Sequence, residues 1–106
     1  MVPVLEVEGR PVSVLERVIE RKLTREARRA GFLCLKLNVS GTRGWPDRLL
    51  IGPGGLVRFV ELKRGRGAAL SPIQERVRRE IRSRGAEYIR VDTMKKISLA
   101  LRKYRL

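Results

Sequence analysis

The chain has 106 residues, 25 Lys and Arg against 11 Asp and Glu for a net charge of +14, one cysteine and no histidine. That length suits one domain with a single modest core, and the missing histidine removes Ser-His hydrolysis, histidine-base nucleases and any ordinary zinc site. Carboxylates, lysine and a hard cation such as Mg²⁺ remain, on an arginine-rich surface whose positive field favours polyanions, although a GC-rich genome or a hot habitat also enriches arginine.

Residues 1–12 are expected to form a short leading arm, with Val4 to Val7 as a strand. No stretch approaches the ~20 apolar residues of a membrane span, and Met1-Val2-Pro3-Val4 carries no signal-peptide pattern. The expectation is a soluble intracellular protein of the cytoplasm, with no membrane partner. Ser13 opens a helix whose Leu15, Val18, Ile19, Leu23, Ala27 and Ala30 repeat at the spacing of one buried stripe, and Gly31 ends it. Phe32 to Asn38 reads as a strand, in which the lone Cys34 behaves as a small hydrophobe.

A hairpin follows, from Asp47 to Ile51 and from Val57 to Lys63, turning at Gly52-Pro53-Gly54-Gly55. With a four-residue loop Asp47 stands opposite Val60; with Leu56 as a fifth loop residue it stands opposite Glu61 on one face. The second register is expected, since only it brings the two acids together. Arg64-Gly65-Arg66-Gly67 is a basic loop before a second helix, which starts at Ser71-Pro72 and turns Ile73, Val77 and Ile81 toward the core. Gly85 closes it, Tyr88 to Val91 makes a strand, and Met94 to Lys103 is a terminal helix. The order α-β-β-β-α-β-α predicts a single α/β domain over residues 1–106, with a central mixed sheet flanked by helices.

Strand alternation puts Glu61 and Lys63 on one face while Leu62 points into the core. Joined by Asp47, one of only two aspartates, this is the composition of a metal-dependent phosphodiesterase. Two carboxylates and a neighbouring backbone carbonyl can hold a divalent ion that lowers the pKa of bound water and neutralises the scissile phosphate. Lys63 would orient that water, accept its proton or steady the pentacovalent charge. A lone Glu-x-Lys is ordinarily a solvated strand pair; the upstream Pro-Asp, the turn and the charge balance argue otherwise.

Glu16 and Glu20 lie one helical turn apart on one face. Ser13-x-x-Glu16 matches a capping box, which gives Glu16 a structural task and favours Glu20 as a further site acid. Ser71-Pro72-Ile73-Gln74 is likewise a cap by its spacing, with Gln74 at the third helical position. Lys36, Arg43, Arg48, Arg64 and Arg66 are phosphate clamps or solvated charges. Trp45 packs beside the turn or stacks on a base, packing being the ordinary reading. The arginines Arg76, Arg78, Arg79, Arg82 and Arg84 coat the second helix opposite its apolar stripe, facing DNA or solvent.

Gly44-Trp45-Pro46-Asp47-Arg48, Pro53-Gly54-Gly55, Phe59-Val60-Glu61-Leu62-Lys63 and Leu70-Ser71-Pro72-Ile73-Gln74, with Ile19-Glu20 ahead of Gly31 and the Leu35-Lys36 strand, together resemble the virus-type replication-repair nuclease (VRR-Nuc) family of the PD-(D/E)XK superfamily. The likeness runs from the first helix to Val91, and Trp45 departs from the smaller aliphatic residue usual there. It implies a restriction-endonuclease-like αβββαβ core and dependence on Mg²⁺ or Mn²⁺, with Asp47, Glu61 and the Leu62 carbonyl as metal ligands. It also implies Lys63 as catalytic lysine, Glu20 as helix acid and Gln74 as an active-site residue. Stand-alone members of this size, often from phages, are similar to Holliday junction resolvases acting as homodimers on branched, four-way DNA. A flap or other branched-DNA nuclease, or a non-catalytic basic nucleic-acid-binding module, is the alternative.

Overall fold

The computed structural model describes residues 4–7, 10–63 and 69–106, with side chains from Leu15 onward. Arg64 and Arg66 therefore lie outside the described residues. Two short strands lead, β1 (Val4–Val7) and β2 (Arg10–Ser13), paired antiparallel as a small separate sheet. The leading strand was expected and its partner was not. Helix α1 (Val14–Arg29) follows directly, then β3 (Leu33–Lys36), β4 (Arg48–Ile51), β5 (Val57–Leu62), α2 (Pro72–Ser83), β6 (Glu87–Val91) and α3 (Lys95–Ala100).

The main sheet has the order β3-β4-β5-β6. Its first three strands are antiparallel neighbours, and β6 returns parallel to β5 after the α2 crossover. Alternation divides the side chains between two layers. Leu50, Val60, Leu62, Ile89 and Val91 meet Ile19, Leu23 and Ala27 of α1 and Ile97 and Ala100 of α3 in one core. Phe59 and Tyr88 face the other way and pack with Val77 and Ile81 of α2. This is the mixed α/β sheet with flanking helices that the sequence predicts. No helix among the described residues is long and apolar enough to cross a membrane.

Three local expectations need correction. Leu15 and Val18 are 38% and 44% exposed, because α1 buries only the narrower Ile19–Leu23–Ala27 line. Ile73, at the start of α2, is also exposed, while Val77 and Ile81 are buried. Helix α3 stops at Ala100, short of the expected Lys103, for a physical reason: the buried Arg58 draws the following backbone onto itself. Its guanidinium donates to the carbonyl of Ala100 at 2.9 Å and to those of Arg102 and Tyr104, and pairs with Glu87 at 2.9 Å. These bonds hold the chain end folded over Arg58.

Candidate active site

Glycine permits the tight turn that sets the register. A Cβ on Gly52 would stand 2.4 Å from the Phe32 ring, so no other residue fits beneath that ring without displacing it. Pro53–Gly55 forms a single 3-10 turn, and the Gly52 N–H donates to the Leu56 carbonyl at 2.8 Å. The loop is thus Gly52 to Leu56, with Ile51 opposite Val57 and Arg48 opposite Val60. One step further along the same register, Asp47 stands opposite Glu61, as the longer-loop reading requires.

Asp47 Oδ2 accepts the backbone N–H of Leu62 at 2.7 Å, which pins the aspartate across the strand end. Glu61 is 3% exposed. Its Oε1 accepts from the Gln74 side-chain amide at 3.0 Å, and its carboxyl also meets that of Asp47. Burial, then the charge and hydrogen bond of Asp47, push the Glu61 carboxyl up to about 9; Lys63 opposes the rise and Glu16 adds to it. Two acids crowded in a low-dielectric pocket are poorly placed without a cation between them.

Gln74 joins both expected roles in one side chain. Its carbonyl oxygen accepts the Ser71 N–H at 2.9 Å, and its own N–H donates to Ser71 Oγ at 3.3 Å, completing the capping box. The same oxygen accepts from Lys63 Nζ at 2.8 Å. The α2 cap therefore fixes the lysine and the glutamate together, and an unbroken chain of contacts runs Lys63–Gln74–Glu61.

The first-helix acids separate. Glu20 pairs with Arg17 at 2.8 Å and with Arg48 at 3.4 Å. Arg48 follows Asp47 and so faces the α1 layer, where Glu20 holds it. Glu16 is the helix acid whose charge reaches Glu61. The Ser13 half of the expected capping box lies outside the described side chains. Cys34 sits beside Arg48 and Glu20, and burial raises its thiol, as suits a packing residue. Lys36 is exposed on β3 opposite Arg48, and Arg43 is exposed in the loop before Trp45.

Tyr88 was missed in the sequence. Its hydroxyl is buried without a protein partner, and burial, then the charges of Glu61 and Asp47, raise its pKa. Its position in an apolar strand carried no signal of that proximity.

The donor set suits a hard cation. Among the described residues no cluster of three or more His, Cys, Asp or Glu side chains gathers, but two carboxylates are oxygen ligands of the kind a hard divalent cation takes alongside water. An ion held between the Asp47 and Glu61 carboxylates would relieve their crowding.

A mixed four-stranded sheet with helices on both faces, carrying this acid pair and lysine at one end, has the fold of a nuclease. A solved VRR_NUC domain superposes with a TM-score of 0.78 and 30% sequence identity, covering 85% of this chain and 97% of that one. "Putative nuclease p44" of Acyrthosiphon pisum secondary endosymbiont phage 1 is 35% identical over 80 residues, 76% of this chain and 85% of that protein. The chain belongs to the VRR_NUC nuclease family. No protein-family model matches it.

Proposed function

We propose that the protein is a divalent-metal-dependent, structure-selective DNA endonuclease acting on four-way junctions as a homodimer. The observation that carries this reading is the acid pair of Asp47 and the buried Glu61, linked through Gln74 to Lys63. Asp47, Glu61 and the Leu62 carbonyl would hold Mg²⁺ or Mn²⁺, which when bound supplies charge neutralisation at the phosphate and a more acidic water. Asp47 is oriented for this by the Leu62 N–H. Lys63, held by Gln74, positions the attacking water and meets the charge that builds on the phosphorus oxygens.

In this scheme Glu16 is taken as the helix acid, its charge adding the smallest share to the rise at Glu61. Glu20 instead fixes Arg48. The net charge of +14 supports binding of phosphates without reading sequence, with Lys36, Arg43, Arg64 and Arg66 as contacts. Two-fold symmetry fits the task, since paired nicks across a junction need two sites related by a dyad.

The test is cleavage of junction, flap and duplex DNA with Mg²⁺ or Mn²⁺, alongside solution mass. Asp47→Asn and Lys63→Ala should lower cleavage by about 100-fold or more with binding retained. Glu16→Gln should lower it by about tenfold, and Glu20→Gln should stay near the parent. Metal-independent cutting, or full activity in Asp47→Asn and Lys63→Ala, overturns the proposal.

A further inference from the structure

We propose that the cleft beside Trp45 receives one unpaired nucleobase adjoining the scissile phosphate, so that the substrate class is DNA with an unpaired nucleotide at the cut. This inference rests on the nuclease reading above. A cleft of about 410 Å³ opens between the 41–45 loop and α2, walled by Trp45, Ile73, Thr42 and Val77 with Arg43 and Arg76 among its lining. Trp45, the only tryptophan, is 36% exposed, and Ile73 is 39% exposed. An aromatic and an aliphatic wall bordered by guanidinium groups matches a nucleotide: a flat apolar base joined to an anionic phosphate. Glu80 also lines the cleft, lying 3.8 Å from Arg76, and offers an acceptor for a base N–H.

The tryptophan is held in place before any ligand arrives. Its ring leans on Phe59, with centroids 6.3 Å apart and planes tilted by 56°. On one side Pro46 is fully buried. On the other, Gly44 has φ +85°, and a Cβ there would stand 2.9 Å from the Ile73 carbonyl oxygen. The loop is therefore pressed onto the first turn of α2, where a side chain at position 44 would not fit. A preorganised platform loses little entropy on stacking.

Position supplies the link to chemistry. Trp45 is two residues from Asp47, so their Cα atoms lie within about 7 Å, and the proposed base belongs to a nucleotide near the phosphate at the acid pair. A base inside a continuous duplex has both faces covered by its neighbours and cannot stack there without being extruded. A flap junction or a bulge presents one already free, and a four-way junction does so where a pair at its branch point opens.

The test uses the full chain carrying Asp47→Asn, so that binding is read without cleavage. Tryptophan fluorescence reports on Trp45 alone, and anisotropy of labelled DNA reports total binding. A flap or junction with an unpaired thymine at the branch should quench the fluorescence saturably, and the same DNA with an abasic site there should not. Trp45→Ala should weaken binding of the branched DNA by about tenfold while leaving duplex binding unchanged. Trp45→Phe, which keeps a stacking face, should retain the preference and guards against a folding defect in the alanine variant. Unchanged fluorescence under full anisotropy-detected binding overturns the inference. So does equal weakening of duplex and branched DNA by Trp45→Ala, or a fluorescence change that follows protein concentration without DNA, which would make the cleft a contact between copies. These readouts do not use cleavage: a parent that cuts DNA without quenching keeps the nuclease reading and loses the cleft, and quenching by a parent that never cuts does the reverse.

Discussion

Two buried charged groups lie on the same strand, and their difference separates architecture from chemistry. Arg58, on the α1–α3 side of β5, is fully buried against Glu87 and three carbonyls of the chain end. Glu61, three residues along on the α2 side, is buried against another acid. Opposite charges brought together need nothing further. Like charges brought together call for a ligand, and the fold holds them there through Gln74 and the Leu62 N–H.

The contrast can be broken most severely on the Arg58 side. Arg58→Ala leaves Glu87 buried and unpaired and should cost about 3–5 kcal/mol in urea unfolding, while cleavage per folded molecule stays close to the parent. Replacing both partners, Arg58→Met with Glu87→Leu, should recover most of that loss. A large drop in cleavage by folded Arg58→Ala would show that the two groups are not separate in function.

A smaller effect sharpens the boundary at α2, where cap and site share one residue. Gln74→Ala should lower cleavage on the order of 10- to 100-fold by releasing Lys63, and stability by about 1 kcal/mol. Ser71→Ala removes the capping hydroxyl, should cost a similar 1 kcal/mol or so, and should leave cleavage unchanged. Equal losses of cleavage in the two variants would mean that the cap alone accounts for Gln74.

Much of this was legible in the residues. Turn composition located the hairpin, and strand parity left two registers of which only one joins Asp47 and Glu61; the choice rested on the site it builds, and the structure has that register. The cap at Ser71 was equally plain. Its second task was not, since spacing reveals that Gln74 can reach the Ser71 backbone but not that Lys63 and Glu61 wait on the other side. Choosing between Glu16 and Glu20 required knowing where along the helix axis the sheet end lies, and periodicity is silent on that. Arg58 gave no warning either: an arginine in a strand reads as solvated until the chain end is seen folding over it.

The central claim is that Asp47 and Glu61 form a cation site, and proton-linked metal binding tests it most directly. In the metal-free protein Glu61 holds its proton from its ordinary 4.5 up to about 9. A carboxyl raised on folding contributes stability that is present below its unfolded value and lost as pH rises through its folded value. Metal-free stability should therefore fall between those limits, and Glu61→Gln should flatten that dependence. Calorimetric titration of Mn²⁺ at pH 7.5, in buffers of different ionisation enthalpy, should show release of about one proton per ion bound by the parent, and weak binding without release in Glu61→Gln. No binding by the parent at millimolar Mn²⁺, or the same release from Glu61→Gln, would contradict the account.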